Sequence, residues 1–248
     1  MNFKLEICVD SIESALNAQE AGAHRVELCN NLNEGGTTPS PGTISSARSN
    51  LTIGLHVLIR PRGGDFLYTD VEYDIMRRDI EICGENGVDG IVIGILEKSG
   101  EIDIERTAKL IELAGPMSVT FHRAFDLCSD PIKGFEAVIA TGADRLLTSG
   151  QMNKAEEGLK LIKQLVGKAR EKIIIMPGSG INESNISDIA KTTGAKEFHL
   201  TGRKVIESEM IFRNQNISLG GTSDIPEFSR KVADPDLIRR IIYILKDI

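Results

Sequence analysis

The sequence has no apolar run that approaches the about 20 residues a membrane-spanning helix requires, so we expect no membrane span. It also lacks a basic segment followed by an apolar stretch at its start, because MNFKLEICVD opens directly on a strand-like alternation. Basic residues are not in excess: 29 Lys and Arg stand against 36 Asp and Glu, which gives a formal net charge of −7. This balance argues against general binding to nucleic acid or to an anionic membrane.

Cysteines are few and do not suggest a disulfide framework. The chain has 248 residues and four cysteines, namely Cys8, Cys29, Cys83 and Cys128. Without a secretory signal we interpret them as reduced thiols and expect a cytoplasmic protein. With 41% hydrophobic and 26% charged residues, and no low-complexity tract, the composition is that of a folded globular chain.

Short strand-like runs alternate with amphipathic helical runs along the whole chain. The predicted strands cover 4–8, 24–29, 53–59, 89–95, 117–122, 145–149, 172–176 and 197–200. Eight such βα units in about 250 residues predict an α/β fold, a (β/α)8 TIM barrel that forms a single domain over 1–248. The same alternation of strands and helices is also compatible with an open doubly wound sheet, which is the alternative fold. The long polar segment 201–233 breaks the pattern of short loops and suggests a lid or an oligomer contact.

Alternation along the predicted strands places an unusual set of charged side chains inside the barrel. Buried charges are tolerated when they are paired, so we expect a structural ion-pair network of Glu6, Arg25, Arg145 and Glu197. Active sites of this fold lie at the C-terminal face. The inward residues nearer that face are therefore the candidate catalytic groups: Glu27, His56 and His122.

The segments that follow the strands carry arginines, acidic residues and glycines. RPRGGDF follows the third strand, FHRAFD the fifth, TSG the sixth, PGSG the seventh and TGR the eighth. Because these segments meet at one mouth, they predict a pocket for a small anionic ligand. Exposed turns with solvated arginines are the alternative. The candidate ligand-binding residues are Arg60, Arg62, Asp65, Arg123, Asp126, Ser149, Gly178, Gly180 and Thr201.

Two cysteines occur in a repeated pattern at the ends of adjacent strands. Glu6-Ile7-Cys8 and Glu27-Leu28-Cys29 share the same spacing. Neighbouring strands lie about 4.8 Å apart, and two metal–thiolate bonds span roughly 4.6 Å. Cys8 and Cys29 could therefore hold a soft ion such as Cu(I), form a reversible disulfide, or stay inert. The nearby positive charges of Arg25 and Arg60 would favour the thiolate form.

Several of these motifs resemble those of the CutC family, whose proteins are named for copper homeostasis. The motifs are EICVDS, RVELC, EGGTTPS, IRPRGGDF, VTFHRAFD, LTSGQ and RNQNIS, and the match runs from about residue 4 to residue 220. The resemblance implies a cytosolic (β/α)8 barrel that is usually oligomeric, with possible Cu(I) binding by Cys8 and Cys29 and no organic cofactor. His24 stands where the family commonly has Asp, and Thr201 where it usually has a small residue such as Ser.

Two functions from different classes follow from these observations. The first is a copper-associated barrel of the CutC type. The second is an enzyme (a lyase, isomerase or hydrolase) acting on a small anion at the C-terminal mouth. A metal-dependent hydrolase using His56, His122 and His199 is less favoured, because a His-x-His pair after the first strand is absent. The many charged residues at one mouth disfavour a pure scaffold or partner-binding role.

Overall fold

Eight parallel strands form a barrel in the computed structural model, which describes residues 3–214, 216–217 and 226–248. The barrel strands are β1 (Lys4–Val9), β2 (Arg25–Leu28), β3 (Gly54–Leu58), β4 (Gly90–Ile93), β5 (Ser118–Phe121), β6 (Arg145–Thr148), β7 (Ile174–Pro177) and β8 (Glu197–Leu200). Their order is β7-β6-β5-β4-β3-β2-β1-β8, and a parallel bridge between Gly178 and His199 joins the two ends. The predicted (β/α)8 barrel is confirmed.

Eight α-helices in the described part of the chain cover the outside of the strands. They are α1 (Ile12–Glu20), α2 (Pro41–Asn50), α3 (Asp70–Glu85), α4 (Ile104–Ala114), α5 (Pro131–Thr141), α6 (Leu159–Ala169), α7 (Ile186–Thr193) and α8 (Pro235–Lys246). Ser40, Asp130 and Asp234 each cap a helix that has proline at its start. The apolar side chains of the strands, such as Leu5, Val26 and Leu55, are fully buried in the main hydrophobic core.

Two glycines of β4 and its following loop leave room for histidines inside the barrel. A Cβ on Gly90 would lie 2.7 Å from His56 Nε2, and a Cβ on Gly94 would lie 2.5 Å from His122 Cε1. Real Cβ atoms do not approach other atoms so closely. The two glycines therefore allow β3 and β5 to project imidazole rings across the interior.

The segment 201–233 is not simply a long loop. It contains an antiparallel ribbon of β9 (Arg203–Glu207) and β10 (Ser229–Ala233). The ribbon is anchored on α1, because Ser14 Oγ accepts the backbone N–H of Ala233 and Arg230 pairs with Glu13. The prediction of one long loop over 201–233 is therefore wrong at both ends of the segment, where the two strands lie. Residues 215 and 218–225 of this segment lie outside the described residues.

None of the helices in the described part of the chain is both long and apolar enough to cross a membrane.

Candidate functional site

A cavity of about 390 Å³ opens at the C-terminal end of the barrel. Its walls come from the ends of the strands and the loops after them. Predicted site residues that line it are Cys8, Glu27, Arg60, His122, Arg123, Gly180 and Thr201. The other lining residues are Leu32, Gly35, Leu58, Phe66, Leu147, Ser179, Ile181, His199, Leu200 and Arg203. The predicted residues absent from the lining are Cys29, His56, Arg62, Asp65, Asp126, Ser149 and Gly178.

An ion-pair network closes the barrel below this cavity, as the sequence predicts. Arg25 lies between two carboxylates, with Nε 2.5 Å from Glu6 Oε2 and Nη2 2.6 Å from Glu197 Oε2. Arg145 Nε adds a second contact to Glu197 at 2.7 Å. All four side chains are buried, and each charge has an opposite charge in contact, which is the condition under which burial is tolerated. The network is a structural floor.

His56 belongs to this lower layer. Its Nδ1 lies 3.8 Å from Glu6 Oε2, too far for a hydrogen bond. Burial, together with the positive charges of Arg25 and Arg145, lowers the pKa of His56 to about 4, although Glu6 opposes this shift. The imidazole is therefore neutral at pH 7, and it has no contact with the cavity.

The two strand-end cysteines meet above the floor. Their Sγ atoms lie 3.7 Å apart, and both cysteines are free thiols. The pair packs on one side against Leu58 and Val92, which makes that side apolar. On the other side Glu27 Oε2 lies 3.5 Å from Cys29 Sγ. The ligand atoms of Cys8, Glu27 and Cys29 all lie within 4.8 Å of one another, which is a spacing that suits a metal ion.

His199 completes this cluster. Its Nδ1 lies 2.8 Å from Glu6 Oε1, and its Nε2 lies 3.7 Å from Glu27 Oε2. Burial alone would lower the pKa of His199, but Glu27, Cys8 and Glu6 together raise it well above its ordinary value. The alternation of β8 predicts that His199 points inward, but not that it joins the cysteines. That contact depends on the register of β8 against β1, which pairs His199 with Glu6.

The two thiols have opposite pKa shifts. A hydrogen bond from Cys29, supported by His199, lowers the pKa of Cys8 to about 5 despite burial. Burial and the neighbouring Cys8 raise the pKa of Cys29 well above its ordinary value. Burial and the charge of Cys8 likewise raise the pKa of Glu27. These opposite shifts favour Cys8 as the thiolate and Cys29 as the thiol that donates the hydrogen bond.

The positive charge beside the thiols is not the one that the sequence suggests. Arg25 is engaged by Glu6 and Glu197, and the guanidinium of Arg60 bonds to backbone oxygens. His199 takes the role expected of these two arginines, because it contacts Cys8 and raises the stability of its thiolate.

Arg60, Phe66 and His122 form a wall of the cavity that we call the Arg60–His122 wall. The centre of the Arg60 guanidinium lies 5.0 Å from the centroid of the Phe66 ring. On the other side, the rings of Phe66 and His122 lie 4.8 Å apart. Burial and the nearby charge of Arg60 lower the pKa of His122 to about 3, so its imidazole is neutral at pH 7.

The other predicted ligand-binding arginines have carboxylate partners in the structure. Arg62 Nε lies 2.5 Å from Glu72 Oε1 and its Nη2 3.0 Å from Asp65 Oδ1, and Arg62 does not line the cavity. Arg123 Nε lies 2.7 Å from Asp126 Oδ2. Asp126 also accepts the hydroxyl and backbone N–H of Ser149. These residues hold loops together, and of them Arg123 alone lines the cavity.

The turn after β7 contributes backbone to the cavity. The N–H of Gly178 is used inside the barrel, since it donates to the carbonyl oxygen of Thr148. A Cβ on Gly178 would lie 2.5 Å from Leu147 Cδ1, so this position needs glycine for packing. Gly180 and Thr201 reach the cavity wall instead. Cys128 lines a different cavity, where its Sγ accepts a hydrogen bond from Gln151.

Comparison with known proteins gives one consistent result. A model of the CutC family matches residues 3–204. A family protein CutC from Bacteroides thetaiotaomicron is 48% identical over 245 residues, which cover 98% of this chain and 98% of that protein. The copper homeostasis protein cutC homolog of Homo sapiens is 45% identical over 246 residues, covering 99% of this chain and 90% of that protein.

A solved structure agrees with these relatives. It is the crystal structure of a CutC protein from Streptococcus agalactiae, with 38% sequence identity and a TM-score of 0.76. The alignment covers 80% of this chain and 98% of that one.

Proposed function

The chain belongs to the CutC family, and we propose that it binds one Cu(I) ion through Cys8 and Cys29 in a copper-handling role. The observation that carries this proposal is the pair of buried free thiols whose sulfurs lie 3.7 Å apart. Cu(I) prefers soft thiolate ligands, and a buried, partly apolar surrounding disfavours water as a competing ligand. The relatives named for copper homeostasis support the same role.

The spacing of the sulfurs bears on how the ion would fit. Two metal–sulfur bonds in line would separate the sulfurs by roughly 4.6 Å. The observed 3.7 Å is shorter, so the sulfurs must either part or hold the ion off the line between them. Either adjustment is small compared with the change to a disulfide, which needs a separation of about 2.05 Å.

The proton balance at the thiols suits metal binding at neutral pH. Cys8 is already a thiolate, so it can bind the ion without losing a proton. Cys29 must release its proton to become the second ligand. The positively charged His199 then offsets the negative charge of the two thiolates.

Competition for Cu(I) against a colourless chelator under reducing conditions tests the proposal. Cys8→Ser and Cys29→Ser should each weaken binding at least about 100-fold, because one remaining thiolate cannot complete the pair. The double variant should add little to either single change, since both sulfurs act as one unit. Cys128→Ser is the matched control, because this buried thiol lies in a different cavity and should leave binding unchanged. Equal uptake of copper by wild type and the double variant would reject the thiol site.

One observation favours a second candidate, an enzyme that acts on a small anion. A thiolate, a carboxyl group and an imidazole (Cys8, Glu27 and His199) line the same open cavity, and such groups serve nucleophilic and acid–base chemistry. A lyase, isomerase or hydrolase of this kind would use Glu27 as its proton-transfer group. Turnover of a small phosphate or carboxylate compound, found by metabolite screening and abolished in Glu27→Gln, would support it. Turnover that persists in Glu27→Gln would exclude this mechanism.

We also propose a cytoplasmic location and assembly into a homo-oligomer. Thiols that must stay reduced to bind Cu(I) require a reducing compartment. Recovery of the native protein in an oxidising compartment after cell fractionation would contradict the location. The segment that follows β9 contains Met210, Ile211 and Phe212, whose side chains are largely exposed apolar surface.

A further inference from the structure

The Arg60–His122 wall has features that copper binding does not explain. Arg60 is a buried cation whose side chain ties two loops together. Its Nη1 donates to the carbonyl oxygens of Glu34 and Gly36, and its Nη2 donates to that of Gly64. These bonds use three of the five N–H groups of a guanidinium. The Nε–H has no acceptor at hydrogen-bond geometry among the residues that the structure describes, and the buried hydroxyl of Tyr68 is the polar group that interacts with this guanidinium.

The charge of Arg60 is also uncompensated. Within the described ranges 3–214, 216–217 and 226–248, no carboxylate lies within ion-pair distance of it, whereas its neighbour Arg62 has two such partners. Only 6% of Arg60 is exposed to solvent. A desolvated positive charge is costly unless an opposite charge is close, and carbonyl oxygens supply only partial charge. The wall therefore has a deficit of negative charge.

His122 adds an unused hydrogen-bond donor to the wall. Its Nδ1 accepts the backbone N–H of Ala124 at 3.1 Å, so the proton of the neutral ring resides on Nε2. This Nε2 is buried and has no acceptor among the described residues. The same ring packs against Phe66, the residue that also contacts Arg60. One wall of the cavity thus combines a cation that has no carboxylate partner among the described residues with the His122 N–H, which has no acceptor there.

We propose that the Arg60–His122 wall binds the carboxylate or phosphate group of a small organic anion. An anionic oxygen group is the partner that the His122 N–H and the charge of Arg60 lack. The remainder of the ligand would contact the apolar lining residues Leu32, Leu58 and Phe66. A cavity of about 390 Å³ falls in the range that accommodates small metabolites, which leaves room for such an organic part.

This site is independent of the copper proposal, because none of its donors is a sulfur. The test is therefore made in the Cys8→Ser, Cys29→Ser background, where metal cannot bind to the thiol pair. Failure of anion binding there says nothing against copper, and loss of copper in that background says nothing against the anion site.

Three probes that share a phenyl ring isolate the role of charge. Benzoate and phenyl phosphate carry the two anionic groups, and benzyl alcohol is their neutral match. Calorimetry and ligand-observed NMR should show that one or both anions bind at least about tenfold more tightly than the alcohol. The ratio of benzoate to phenyl phosphate affinity then tells which anionic group the wall prefers.

Matched variants locate the site on the wall. Arg60→Met should weaken binding of the anionic probes at least about tenfold, whereas Arg62→Met should not, because Arg62 lies outside the cavity. His122→Gln should weaken it severalfold. His24→Gln is its control, since His24 Nδ1 accepts the backbone N–H of Leu5 at the opposite end of the barrel.

Arg60→Met also removes the ties between two loops, so its folding must be checked by circular dichroism. If that variant does not fold, His122→Gln decides the question, because it leaves those ties intact. Equal affinity of the anions and benzyl alcohol, absence of binding at millimolar concentrations, or unchanged affinity in the folded variants would each overturn the proposal.

Discussion

Cys8 and Cys29 occupy equivalent places at the ends of neighbouring strands but differ in charge. Cys8 accepts a hydrogen bond from Cys29 and lies near His199, which together lower its pKa to about 5. Cys29 faces Glu27 and the Cys8 sulfur, and its pKa is raised. One negative charge is thus shared by two sulfurs that are 3.7 Å apart. An asymmetric pair of this kind presents a ready ligand at neutral pH.

We expect one thiolate to form as the pH is raised through about 5, the pKa of Cys8. Below this pH Cys8 is protonated, and above it Cys8 is the one thiolate until the other cysteines, whose pKa values are raised by burial, ionise at a much higher pH. Ultraviolet thiolate absorbance recorded against pH should show this early step in wild type. Cys8→Ser should abolish it, while Cys83→Ser should retain it, because burial raises the pKa of Cys83 to about 12.

Replacement of Cys29 distinguishes the cause of the shift. Cys29→Ala removes the hydrogen-bond donor and should raise the pKa of Cys8, whereas Cys29→Ser keeps a hydroxyl donor and should change it less. An early step that survives in Cys8→Ser would show that Cys29 carries the charge instead.

At the level of secondary structure, β4 and its following loop determine how much space the inward histidines have. Gly94 lies against the imidazole of His122, with no room for a Cβ. Gly94→Ala should therefore displace the ring and lower the free energy of unfolding by about 1–3 kcal/mol, as overpacking does in cores. Urea denaturation of the variant and wild type measures the difference.

Gly167→Ala is the control for this change. Gly167 lies in α6, has no atom within 4 Å of an added Cβ, and has an ordinary helical position. Alanine there should be neutral or stabilising by up to about 1 kcal/mol. A Gly94→Ala protein as stable as wild type would mean that the barrel interior around His122 is looser than the structure indicates.

Strand alternation predicts much of the interior from sequence. Glu6, Arg25 and Arg145 are flanked by apolar residues that need the helix layer, so their inward direction and mutual pairing follow. The contact of His199 with the thiol cluster does not follow, because it requires the register of β8 on β1 across the barrel closure. The pairing of Arg62 with Glu72 is similarly hidden, since α3 approaches the loop only in the folded state.

In the whole molecule the functional groups are stacked along the barrel axis. The ion-pair network forms the floor, the thiol pair and His199 lie above it, and the Arg60–His122 wall borders the cavity. The number and alternation of βα units were enough to predict the barrel. The ribbon of β9 and β10 was not predictable, because its two short strands pair with each other across a long polar segment.

Substitution of the exposed apolar residues that follow β9 tests whether the protein assembles into an oligomer. Ile211 is 100% exposed and Phe212 is 78% exposed, so a partner surface would bury costly apolar area. Light scattering coupled to size-exclusion chromatography should show an oligomer for wild type and a smaller species for Phe212→Asp. Val71→Asp is the control, because Val71 is an equally exposed apolar residue on α3 and should not change the mass. A monomeric wild-type protein would contradict the assembly.

The most direct test of copper binding at the thiol pair is anomalous diffraction at the copper edge. Crystals of the wild-type protein would be loaded with Cu(I) under reducing conditions. We expect one anomalous peak at about 2.3 Å from the sulfurs of both Cys8 and Cys29, and no peak there in crystals of the double serine variant. A copper peak elsewhere, or none near these two sulfurs in loaded wild-type crystals, would contradict the proposed function.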